Sequence, residues 1–388
     1  GRGGGGAGGA GGRAGTVGGG AGGTAGSGGG GGTTGSGGGG GVSPVGIEVV
    51  GSGKLSVPRK LATAVVLGDG RVLVVGGANA SNEALTAVDL VEPEAQQTKA
   101  VASLAQARYR PTATLLPDGR VLVTGGVSAN EAMASVEIYD PAQNIWVAGP
   151  AMARPRRGHQ AVTLPGGAVL VVGGYNKQEG YLADAQRWEG GTWKPAASMS
   201  YKRFLFSLTV LPGGDVLAVG GGDSKGDVSW VETYRLEKNA WAVEDLLLSP
   251  RYDHTASLLP GGQVVVSGGF GEGDVRAEVE QYDPGTGVWS SLPSLGEGRT
   301  RHGQMVTTEG VIIVATGAGK TSDFLGEIEV LPPGAGAWLP GGTISPPRQA
   351  CAVVQLPKDR LLFAGGQGAS GVLDVVEMVV AKKGSGGP

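Results

Sequence analysis

Glycine doublets return along this chain at an almost fixed interval: Gly76-Gly77, Gly125-Gly126, Gly173-Gly174, Gly220-Gly221, Gly268-Gly269 and Gly365-Gly366. Halfway across the one long gap lies Thr316-Gly317, a degenerate copy. The second members are then spaced 49, 48, 47, 48, 48 and 49 residues apart. Self-similarity at such a period means that one supersecondary unit is stacked on copies of itself. Each unit opens with an arginine, at Arg59, Arg108, Arg156, Arg203, Arg251, Arg299 and Arg348. A short apolar segment follows, then a turn such as Leu116-Pro117-Asp118-Gly119. Next comes a β-branched run such as Val121-Leu122-Val123-Thr124, which ends on the doublet. A run of that length between turn signals predicts a buried strand. A variable loop leads to a third strand, such as Val136-Glu137-Ile138-Tyr139. A fourth carries a tryptophan: Trp146, Trp193, Trp241, Trp289 or Trp338.

Four strands per unit of about 48 residues make one blade of a β-propeller. The arginine, the doublet, the Glu-x-Tyr-Asp element and the tryptophan, recurring in register, resemble the kelch-repeat family, which includes the galactose oxidase-like propellers. The resemblance spans roughly residues 45–381 and implies an all-β, seven-bladed propeller of four-stranded blades. The seventh unit stops after strands near Ala352–Leu356, Leu361–Ala364 and Val375–Val380. Its missing fourth strand is expected from Lys54–Val57, which would close the ring and leave no sheet edge open at the seam. The domain reading is a glycine-rich extension over 1–43, a propeller over 44–383 and a tail over 384–388.

The extension holds 27 of the chain's 78 glycines within its first 41 positions and has no aromatic residue. It cannot bury enough apolar surface to offset the entropy of ordering glycine. It reads as a spacer, or as an assembly element that bonds through its backbone to copies of itself. The net charge of −3 argues against nucleic acid. No apolar run reaches the length of a membrane span. A single cysteine rules out a disulfide framework and a multi-cysteine zinc site. No cofactor and no metal site is expected.

Several columns of the repeat look functional. Three residues beyond each arginine stand Ala62, Pro111, His159, Phe206, His254, His302 and Cys351. Adjacent blades keep such positions too far apart to share a metal, so these residues read as packing groups. The third strands carry Asp89, Glu137, Gln186, Glu232, Glu280, Glu329 and Glu377. Six of the seven are acidic, and a repeated buried arginine requires a partner, so a ring of ion pairs is expected. The alternative is a charged channel that binds an ion or sugar. Gly317-Ala318-Gly319-Lys320-Thr321 looks like a phosphate loop, but Val314 stands where the first glycine is needed. Asp223, Asp227 and Asp274 lack the dense spacing of a calcium loop. Asn79-Ala80-Ser81 is a glycosylation sequon.

The loops after the doublets vary most, and such a resemblance implies a rigid ring that presents them to a ligand. Tyr175, Tyr181 and Phe270 are the candidate contacts. The first functional reading is a non-catalytic module outside the cell that recognises a protein or glycan through this loop face. Few cysteines and lysines and abundant Gly, Ala, Val and Arg suit a secreted or surface-attached bacterial protein. A second reading is the subunit of a surface filament joined through residues 1–43. A third is a copper oxidase-like enzyme. That chemistry needs two histidines, two tyrosines and a cysteine bonded to tyrosine, whereas every histidine and the cysteine here lie in one packing column.

Overall fold

The computed structural model describes residues 45–382, so the expected extension and tail lie outside the described residues. Every regular element among the described residues is a strand; seven antiparallel four-stranded sheets form the blades, and six two-stranded ribbons accompany them. The first blade is Thr63–Val66, Val72–Val75, Val88–Glu92 and Gln97–Ala100, paired in that order. Its inner strand touches the inner strands of its two neighbours, and the same contact runs around all seven blades and back to the first. The chain therefore forms a closed ring about a central channel. No helix long and apolar enough to cross a membrane is present among the described residues.

The second strands explain the continuous β-branched runs. Val72–Val75, Val121–Thr124, Val169–Val172, Val216–Val219, Val264–Ser267 and Ile312–Ala315 are buried at every position. Each is paired on both edges and packed on both faces, so alternation has no place there. Each apolar cluster draws residues from two neighbouring blades, as with Leu116 and Leu122 against Val169, Val171 and Trp188.

The ring closes through blade seven, where Gly46–Lys54 pairs with Val375–Lys382. This corrects the expected closing segment, Lys54–Val57. The strand lies earlier and is longer, and Leu55 already belongs to the loop leading to Arg59. It has no tryptophan to mark it and carries Gly51, Ser52 and Gly53, with a register shift between Gly51 and Lys54. Its signal lies in Ile47 and Val49, half-buried beside the cluster of Ile313, Phe363 and Val379.

At one end of the ring the turns between first and second strands interlock. A Cβ on Gly167 would stand 2.2 Å from the Pro117 ring, and one on Gly214 would stand 2.8 Å from Pro165. At the other end lie the arginines, the doublets and the loops that follow them.

Candidate functional site

All seven arginines are fully buried and paired within their own blade. Arg59 meets Asp89 at 2.7 Å, Arg108 meets Glu137 at 2.8 Å, and Arg203 meets Glu232 at 2.6 Å. Arg299 meets Glu329 at 2.5 Å, and Arg251 and Arg348 pair with Glu280 and Glu377. The third blade is informative because its strand offers Gln186. There Arg156 turns to Asp184, two residues earlier, at 2.6 Å. Gln186 keeps the other task of the column, accepting the backbone N–H of Ala153 at 3.1 Å. In blade four, Glu232 does both jobs, accepting from Arg203 and from the backbone N–H groups of Ser200 and Tyr201. Sequence counting missed Asp184 because it looked for the charge at one fixed position.

The main chain of the same arginines joins the blades. The second glycine of each doublet donates to the next blade's arginine carbonyl, from Gly77 to Arg108 at 2.9 Å around to Gly366 and Arg59 at 2.9 Å. Burial of a paired charge holds each blade, and this backbone bond holds each blade to the next.

The histidines serve the same purpose. His159 Nε2 stands 3.1 Å from the hydroxyls of both Thr112 and Thr124 in the preceding blade. His302 repeats this with Thr255 at 2.7 Å and Ser267 at 3.0 Å, and His254 meets Ser207 at 2.9 Å. Burial holds His159 and His254 down to about 3, and His302 well below its ordinary range. They are neutral hydrogen-bonding groups near neutral pH. Burial pushes the Cys351 thiol up to about 11. No three His, Cys, Asp or Glu side chains gather as metal ligands among the described residues. These residues do not fit the copper centre of an oxidase.

One residue before the histidine column lies a column that sequence reasoning passed over. Leu61, Arg110, Gly158, Leu205, Asp253, Arg301 and Ala350 are all left-handed, with φ between 51° and 59°. Six are not glycine, and a left-handed non-glycine residue needs compensation. It comes from backbone bonds that run from blade to blade: Leu61 N–H to Ala350, Arg110 to Leu61, Leu205 to Gly158, Asp253 to Leu205 and Arg301 to Asp253. The column lines a cavity of about 410 Å³ at the channel mouth.

Short hairpins surround that mouth. Residues just past the doublets bridge to the residue after each arginine, as Val127 to Tyr109, Tyr175 to Arg157, Gly222 to Phe204 and Phe270 to Tyr252. The structure brings Tyr175 and Tyr181 together across one hairpin, with centroids 5.1 Å apart. Phe204 of the next blade joins them, 5.5 Å from Tyr181. Phe270 stands apart from this pair and packs on Tyr252 at 5.5 Å. Arg157 lies over Tyr175 at 5.0 Å. The result is a half-buried aromatic arc on blades three to five. Phe204 and Tyr252 were not singled out in the sequence, because they sit beside the arginines and not in the loops.

The remaining motifs resolve locally. Glu297 accepts the backbone N–H groups of Lys320 and Thr321 and the Thr321 hydroxyl, while Lys320 pairs with Asp274. A carboxylate thus occupies the donors that a phosphate would need. Asp223 accepts from Lys225 N–H at 2.6 Å, and Asp227 from Glu272 N–H at 2.5 Å. The Asn79 side chain caps its own turn against Glu83.

Known proteins agree with this geometry. The kelch motif matches residues 108–153 and 251–296, which are blades two and five. A fungal alcohol oxidase solved in complex with copper has a similar fold at 17% identity and a TM-score of 0.67, over 88% of this chain and 77% of that one. The structure of YjhT is similar at 16% identity and a TM-score of 0.59, over 74% of this chain and 99% of that one. At such identities the likeness is one of fold. No curated protein matches the sequence. The motif on two blades supports the kelch-repeat β-propeller family, and the five further blades repeat the same buried arginine, with the glycine doublet in all but blade six, where Thr316-Gly317 replaces it.

Proposed function

We propose that this propeller is a binding module that takes a protein or glycan ligand at the hairpin-bearing mouth of its channel. The observation that carries the reading is the half-buried aromatic arc of Tyr175, Tyr181, Phe204, Tyr252 and Phe270, on and beside the hairpins at the end of the ring that bears the cavity. Its neighbours in the ring are committed to structure. The seven arginines and their carboxylates are paired within the blades, and the three histidines are tied to hydroxyls of the preceding blade. Aromatic faces are what a sugar ring or an extended peptide packs upon, and half-exposed ones on a rigid rim lose little entropy on binding. Kelch propellers generally serve as such scaffolds, and their fold also carries copper oxidases. The absence of a fitting copper set among the paired histidines supports the non-catalytic reading here. The glycine-rich N-terminal stretch and the scarcity of cysteine support display outside the cell.

A glycan array probed with the full chain and with a Tyr181→Ala/Phe270→Ala variant tests the reading. Glycans retained by the full chain are expected to lose at least tenfold in signal with the variant, at unchanged melting temperature. Equal retention by both proteins would move the site away from the arc.

A further inference from the structure

The charged side chains that line the mouth cavity are Arg110, Asp253 and Arg301. Arg301 is engaged: its Nε donates to Asp253 at 3.1 Å and its Nη1 to Gln349 at 3.2 Å. Arg110 differs from Arg301, its counterpart in the same column, and from the seven buried arginines. Among the described residues its guanidinium makes no ion pair and no hydrogen bond. Yet it belongs to blade two and feels Asp253 of blade five and Arg301 of blade six. The three charged residues line one cavity. Desolvation is the largest influence on it and holds its pKa below the ordinary arginine value. Each of the seven fully buried arginines has a carboxylate partner, whereas half-buried Arg110 presents its donors to the cavity without one.

We propose that Arg110 is the anchor of a ligand site in this cavity, and that it takes the carboxylate of a small organic acid. The planar fork of an arginine matches a carboxylate with two parallel N–H···O bonds. Two arginines against one aspartate leave the lining one positive charge in excess, and His159 and His302 in the same wall are neutral. That excess suits a monoanion better than a phosphate dianion. The rim supplies aromatic surface for the body of the acid, so a sugar acid fits both halves of the mouth. The proposal rests on the reading of the mouth as a binding site and adds the charge of what enters it.

The test follows the Nε–Hε resonance of Arg110 in the ¹⁵N-labelled full chain, assigned by its loss in Arg110→Gln. Glucuronate and glucose, which share a ring and differ in the carboxylate, are titrated in parallel, with acetate as the bare head group. Glucuronate and acetate are expected to shift the resonance saturably at millimolar concentration, glucose not. Calorimetry is expected to show glucuronate bound at least tenfold more weakly by Arg110→Gln, a variant that should melt with the parent because the side chain has no internal partner. Glucuronate and glucose bound equally, or bound equally by parent and variant, would overturn the carboxylate anchor while leaving the mouth as a binding site. No response to either acid would overturn the anchor too. Retention or loss of glycans on the array by Tyr181→Ala/Phe270→Ala then judges the mouth separately.

Discussion

Gly268 shows what the doublet is for. Its φ is +60°, and a Cβ there would stand 2.3 Å from the Arg299 carbonyl oxygen and 2.7 Å from His302 Cε1. The carbonyl belongs to the inter-blade bond, so it cannot move aside. Gly268→Ala is expected to cost well over 3 kcal/mol, whereas Gly273→Ala, at φ +82° in open space, should cost about 1 kcal/mol of backbone strain. Thr316 holds the equivalent place in blade six, β-branched and left-handed at φ 64°, with its buried hydroxyl unpartnered. Thr316→Gly is therefore expected to raise stability by about 1 kcal/mol, read as a higher urea midpoint. A lower midpoint would show that the side chain is needed where it stands. The doublet was legible because one residue type answers its constraint. The left-handed column at Leu61, Arg110 and Asp253 was not, since its requirement falls on the backbone and leaves the side chains free to differ.

The blade is the element of this chain, and its strands announced themselves unequally. Second strands read clearly because burial on both faces selects a run of β-branched residues. Outer strands carry exposed residues such as Val147 and Val288 and were found by their tryptophans alone. All but Trp289 bond backward: Trp146 Nε1 donates to Ala102 at 2.7 Å and Trp241 to Ala197 at 2.8 Å, each reaching a residue just beyond the preceding blade's outer strand. Gly46–Lys54 has no such mark, which is why its position was misjudged. Its pairing with Val375–Lys382 supplies the fourth strand of blade seven and covers the edge of that strand at the seam. A chain beginning at Leu55 is expected to lose several kcal/mol, at about 1 kcal/mol per ladder bond, and to self-associate through the bared strand. Adding the peptide Val45–Lys54 should restore both melting temperature and monomer mass. If the peptide has no effect while the shortened chain stays stable, the seam is held by the other blade contacts alone.

At the scale of the whole molecule the repeat hides as much as it reveals. Seven copies made ring closure countable, but a ligand site on a repeated scaffold is built from what does not repeat. Arg110 is the single unpaired guanidinium in a column that otherwise holds Leu, Gly, Asp, Ala and a paired Arg, and its meaning appears only when blades two, five and six face each other across the channel. The histidines have the reverse character, being shared devices with a collective consequence. In the folded ring His159 and His302 are buried and stay neutral far below their ordinary value of 6.5, while the unfolded chain titrates them there. Above that value neither state binds the proton, and stability does not depend on these groups. Below it the unfolded chain takes up protons that the folded ring refuses, so stability falls as the pH drops from 6.5 toward about 3. The slope is roughly 1 kcal/mol per pH unit for each such histidine, with a smaller share from the partly exposed His254. Urea midpoints measured between about pH 7 and pH 4 should decline steeply for the parent. A His159→Gln/His302→Gln variant keeps an amide facing the Thr and Ser hydroxyls; it should start lower and decline less. Parallel declines would mean that other groups carry the acid sensitivity, and that these rings are not the neutral ties between blades that their hydroxyl partners indicate.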